Sequence, residues 1–142
     1  MKMMVSHVSR ALLLSAFFVF GTAFTINLPR SNPWKAPASA NANINPLKGN
    51  AAAAAEGKKL YTTYCTPCHG AKGKGDGVAA PGLQKTPADH TSAPIQNQSD
   101  GAIFWKISQG NSPMPAYKSA LTETQRWQCV NFIRTLAKAS KK

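Results

Sequence analysis

Apolar and polar positions divide the chain into stretches of different character. An apolar run from Ala11 to Phe20 continues raggedly to Leu28 and is preceded by the charges of Lys2 and Arg10. From Ser31 to Asn50 the chain is rich in Pro, Asn and Ala with no apolar period, which predicts a linker or loosely tethered arm over 24–50. Periodicity returns at Ala51. The Ala-rich run to Tyr64, carrying Leu60 and Tyr61, predicts a first helix. Gly57 interrupts it at a cost of about 1 kcal/mol relative to Ala, so a close packing contact is expected there. A middle helix is predicted over Ser99 to Gln109, where Ile103, Phe104 and Ile107 recur at helical spacing and Gly110 ends the run. Thr122-Glu123-Thr124-Gln125 is a capping box that opens a last helix, with Trp127, Val130, Ile133, Leu136 and Ala137 on roughly one side. Gly-, Pro- and Lys-rich loops without a period of two separate these helices. The pattern predicts an all-α domain over 51–142 with long loops and no internal repeat.

The N-terminal run reads as an address. A positive start, an apolar stretch and the small residues Gly21-Thr22-Ala23 predict a signal peptide over 1–23, cleaved before Phe24. The rival reading is an uncleaved anchor to about residue 28, near the lower length limit of a membrane span and weakened by Thr22, Thr25 and Asn27. No cysteine precedes Cys65, which excludes a lipoprotein anchor. Both readings export the rest of the chain to the periplasm, free or held at the inner membrane by 11–28.

Composition narrows the class. With 142 residues the chain suits one small domain, and 10 Gly and 10 Pro exclude a coiled coil or helical array. Lys+Arg 17 against Asp+Glu 5 gives a formal charge of +12, which bears on partner choice more than on fold. Nucleic acid is not the expected partner, since no recognition motif is present and the charges are dispersed. The apolar positions of the predicted helices make a thin core for such long loops. A large buried cofactor would supply the missing apolar mass.

Cys65-Thr66-Pro67-Cys68-His69 is C-x-x-C-H, the attachment signature of c-type haem. Two thiols three positions apart can add to the two vinyl groups of one haem, and the adjacent His then reaches the iron from one face. A zinc site would need two further ligands where only His90 and Cys129 remain, and a thioredoxin-type pair would need a βαβ context. A second axial ligand on such iron is commonly Met or His. The only methionine after His69 is Met114, flanked by Pro113 and Pro115, which favour an extended, stiff loop over a helix. His90 as the second ligand, or an open site, are the alternatives.

Cys65-Thr66-Pro67-Cys68-His69-Gly70, with Gly73, Gly75-Asp76-Gly77, Pro81, Met114-Pro115 and a Trp-bearing last helix, resembles a class I monohaem cytochrome c of bacteria. The resemblance spans about Ala51 to Ala137. It implies a small cytochrome c fold, three to four helices wrapped round one haem held by Cys65 and Cys68, with His69 and Met114 as axial ligands. It implies that the first and last helices cross tightly at Gly57, Tyr61 and Phe132. The Pro81 carbonyl is expected to accept the His69 Nδ1–H, Leu83 to pack on the haem face, and Trp105 to stand near the propionates. Tyr117 is expected to pack on or cover the haem edge.

Cys129 reads as a small buried hydrophobe, and His90 as a loop residue with a local turn bond. Lys72, Lys74, Lys85, Lys106 and Lys118 fall in or beside the loops expected round the haem, where they would steer an acidic redox partner. The function expected is that of an exported single-electron carrier and not an enzyme. The alternatives are a membrane-tethered haem subunit of a respiratory or dehydrogenase complex, and a five-coordinate haem protein with gas-binding or peroxidase-like chemistry.

Overall fold

Asn50 opens the first helix, α1 (Ala51–Tyr64), its side chain accepting from the Ala53 amide at 3.0 Å. The computed structural model describes residues 34–139, so the signal or anchor expected over 1–30 lies outside the described residues. A one-turn helix α2 (Thr66–His69) follows, then α3 (Ala93–Gln96), α4 (Asp100–Gln109) and α5 (Glu123–Ala139), with short 3-10 turns at Ala38–Ala42 and Ala80–Gly82. The all-α class is as expected. Among the described residues no helix is long and apolar enough to cross a membrane.

The predicted crossing of α1 and α5 forms the centre of the domain. A Cβ at Gly57 would collide with the Gln128 carbonyl, so only glycine lets the two backbones approach this closely. One turn on, Tyr61 meets Phe132 edge-on with ring centroids 5.0 Å apart. The capping box of α5 is reciprocal: Gln125 Oε1 accepts from the Thr122 amide at 2.9 Å, and Thr122 Oγ1 accepts from the Gln125 amide at 3.2 Å. Helix α4 starts at Ser99, whose hydroxyl accepts from the Ala102 amide, and packs Phe104 flat on Trp127 with centroids 3.9 Å apart. Cys129 is fully buried beside Tyr61 and Val130, as expected, and burial pushes its thiol pKa up to about 12.

The segment Trp34–Asn50 departs from the expected loose arm. The chain divides between Pro33 and Trp34, and the described residues from Trp34 onward belong with the helices. Ala40 is buried in its 3-10 turn, and its carbonyl passes Gly101 at a distance that leaves no room for a Cβ. Asn45, also buried, donates to Asp100 at 2.8 Å and to Asn131 at 2.9 Å, and Asn131 donates in turn to the Leu47 carbonyl. Trp34 lies against Trp105, centroids 6.0 Å apart. Buried amide hydrogen bonds fasten this arm, and they leave no trace in an apolar period.

Candidate functional site

Helix α1 delivers Cys65, and α2 places the rest of the motif on a single turn. The Cys65 carbonyl accepts from the amides of both Cys68 (3.2 Å) and His69 (2.8 Å), so the two thiols and the imidazole leave one tight coil. Both thiols are free and half-buried. Burial, followed by the neighbouring Cys129 and Cys68, pushes the Cys65 pKa up to about 12. The next loop folds back over α2 through Gly75 N–H to the His69 carbonyl (2.9 Å), Gly77 N–H to Cys68 (3.1 Å) and Ala79 N–H to Pro67 (2.9 Å). Gly70 turns the chain at φ 75°, where a Cβ would strike the Asp76 carboxylate.

His69 is buried, and its Nδ1 lies 3.0 Å from the Ala88 carbonyl. A carbonyl only accepts, so Nδ1 carries the proton and Nε2 keeps its lone pair. Burial holds the imidazole below its ordinary pKa and the Ala88 bond offsets part of that, so the neutral ring dominates at neutral pH. The acceptor is Ala88 and not Pro81 as expected. Pro81 sits exposed in the 3-10 turn Ala80–Gly82, with Leu83 half-buried just past it. The returning segment Pro87–His90 is the one pinned alongside α2, by His90 N–H on the Gly73 carbonyl at 2.6 Å and by the close passage of the Pro87 carbonyl over Gly75.

Met114 lies in a reverse turn rather than the extended loop expected. Asn111 and Met114 exchange both backbone hydrogen bonds (2.9 and 3.0 Å) around a cis Ser112–Pro113 bond. Its half-buried side chain packs against the core. Gly110 at φ 64° allows the turn to fold back, since a Cβ there would clash with the Ala116 amide. Lys85 donates to the Ser112 carbonyl at 3.0 Å, tying the loop after α2 to the methionine turn. Tyr117 ties the same turn to α1 and α4: its hydroxyl donates to the Tyr64 carbonyl at 2.8 Å and its amide to the Ile107 carbonyl at 3.0 Å. Burial pushes the Tyr117 pKa up to about 12, with Cys65 and Cys68 adding to the shift.

Trp105 and Lys106 make contacts of their own. Trp105 faces Trp34 and lines a crevice between α4 and α5 with Phe104, Arg126 and Lys118. Lys106, counted among the cations round the site, donates to Gln98 at 2.7 Å and lies 5.3 Å from the centre of the Trp34 ring, and burial lowers its pKa.

Sequence reasoning missed His90. Instead of a local turn bond, its ring stacks on His69 with centroids 4.1 Å apart at 20°, and its Nδ1 is hydrogen-bonded to the Tyr61 hydroxyl at 2.9 Å. Burial and the neighbouring His69 push its pKa down to about 3, so it stays neutral at working pH. Stacked face to face with His69, the His90 ring does not stand across a gap from it as an opposite ligand would. The Asp89-His90-Thr91 sequence gives no hint of this placement, because the two partners are set by the fold.

The donor set fits haem c: two free thiols at the required spacing, a histidine whose Nε2 is kept as an acceptor, and a thioether in a fixed turn. The family model described as Cytochrome c matches residues 54–137. The chain belongs to the cytochrome c family. A curated cytochrome c6 of Alaria esculenta is 32% identical over 79 residues, covering 56% of this chain and 86% of that protein. A chain of the reducing HAO-like protein complex of Kuenenia stuttgartiensis superposes with a TM-score of 0.59 at 26% identity, over 64% of this chain and 46% of that one. This chain thus spans less than half of that relative. A solved c-type cytochrome, KustC0563, is 29% identical with a TM-score of 0.49, over 56% of this chain and 95% of that one. Membership makes the chain a carrier of electrons with covalently held haem c, and the family typically carries electrons rather than catalysing reactions.

Proposed function

We propose that this chain is an exported single-electron carrier in which His69 and Met114 are the axial ligands of one haem c, passing electrons between periplasmic partners with acidic docking surfaces. The bond from His69 to the Ala88 carbonyl carries this reading, because it leaves Nε2 as the ring's only metal donor on the turn that bears both thiols. Haem supplies the one-electron couple. The chain's own residues hold the attachment turn, fix the imidazole tautomer and keep the thioether in a turn closed by two hydrogen bonds. A thioether ligand favours the reduced state, so a positive potential is expected.

Met114→Ala should retain attached haem, titrate at a lower potential and bind carbon monoxide when reduced. An unchanged potential with no gas binding would assign the second ligand elsewhere. Ready gas binding by the unaltered protein would favour the five-coordinate alternative.

Similarity to a chain of the Kuenenia complex supports a second reading, a haem subunit of a larger assembly held by an uncleaved N-terminus. The mass of the protein isolated from its host separates the two: loss of residues 1–23 fits a free carrier, whereas an intact terminus with co-purifying larger chains fits the subunit.

A further inference from the structure

We propose that His90 is a positioning residue for His69, a fixed aromatic plate that sets the plane of the ligand imidazole. The proposal rests on the reading of His69 as the iron ligand.

The single hydrogen bond from His69 Nδ1 to Ala88 fixes a tautomer, but a ring held at one corner can still rock about that bond. His90 removes that freedom. Its ring lies 4.1 Å from His69 and within 20° of parallel, so rocking would drive one ring into the other.

The plate is itself held by several contacts. The Tyr61 hydroxyl bonds its Nδ1 at 2.9 Å, and the Tyr61 ring meets it edge-on with centroids 5.7 Å apart. Its amide donates to the Gly73 carbonyl at 2.6 Å, and its carbonyl accepts from Gln96 Nε2, which also donates to Ile133 of α5 at 3.0 Å. Tyr61 is in turn 1% exposed and locked against Phe132. A chain of contacts therefore runs from the α1–α5 crossing through Tyr61 and His90 to the ligand ring. The orientation of an imidazole on iron decides which iron orbitals it meets. His90 also covers one face of the ligand from water, and exclusion of water favours the less charged, reduced state.

The test compares the haem-loaded protein with its His90→Ala, His90→Phe and Tyr61→Phe variants. The readings are the paramagnetically shifted haem-methyl resonances of the ferric form, the midpoint potential, and the ferric iron–thioether absorption as a check on Met114. His90→Ala should alter the spread of the methyl resonances and lower the potential while the thioether band stays. His90→Phe, which keeps a flat ring, should restore both towards the unaltered values. Methyl shifts and potential unchanged in His90→Ala, with only the thermal midpoint lowered, would reduce His90 to packing and overturn the proposal. Should His90→Ala fail to retain haem, Tyr61→Phe decides: it keeps the pair with Phe132 and removes the only side-chain hydrogen bond on the His90 ring among the described contacts, and unmoved methyl resonances there would overturn the proposal. A His69→Ala variant with the unaltered spectrum would overturn the ligand reading and this inference with it.

Discussion

At Gly57 two physical effects oppose each other, and their sizes decide the sign of a substitution. Alanine gains about 1 kcal/mol over glycine in a helix interior. Here the added methyl would meet the Gln128 carbonyl, a backbone atom of α5 that no rotamer change can move aside. Overpacking of this kind costs about 1–3 kcal/mol and the helices cannot separate without opening the core. Gly57→Ala should therefore lower stability in a denaturant titration despite its better propensity, and an increase would show that the crossing yields. The glycine was legible as a packing contact because nothing else accounts for it inside an Ala-rich helix. The motif residues Cys65, Cys68 and His69 were legible for the same reason, since their chemistry sits in adjacent positions. The acceptor for His69 was not. Pro81 and Ala88 both lie in the loop after α2, and only the folded course of that loop decides which carbonyl passes the ring.

Among the elements, α1, α4 and α5 were readable because each carries a helical run, with a glycine stop at Gly110 for α4 and a capping box at Thr122 for α5. The arm before α1 was not. Its fastening depends on Asn45, whose partners Asp100 and Asn131 are 55 and 86 residues away, and no local pattern encodes such a pairing. The network continues through Asp100 to Arg134, paired at 2.7 Å, whose guanidinium also donates to the Gln96 carbonyl at 2.8 Å. Arm, α3, α4 and α5 thus share one polar cluster. Asn45→Ala would strip the half-buried Asp100 carboxylate and the buried Asn131 amide of a partner at once, at a cost of about 1–3 kcal/mol. The check is the urea midpoint of the haem-loaded protein, and an unchanged midpoint would mean that the arm is a passive covering. His90 was missed at this scale too, since its place depends on α1 and α2 together.

For the whole molecule, a formal charge of +12 over the 142-residue chain favours encounter with acidic surfaces. Lysines do not share equally in this. Lys106 is half-buried and committed to Gln98, and Lys85 holds the methionine turn, whereas Lys72 and Lys118 stand exposed. Electron transfer to the proposed acidic partner should slow steeply between about 0.01 M and 0.1 M salt, as the screening length falls from roughly 30 to 10 Å. Stopped-flow rates that ignore ionic strength would point to an apolar docking face.

On the proposed ligation, His69 and Met114 together hold the iron. The most direct measurement is the absorption spectrum of the oxidised protein at the near-infrared edge, where ferric iron bound to a thioether shows a weak band. The band should be present in the unaltered protein and absent in Met114→Ala, with haem still attached to Cys65 and Cys68 in both. Attached haem without that band in the unaltered protein would contradict that ligation.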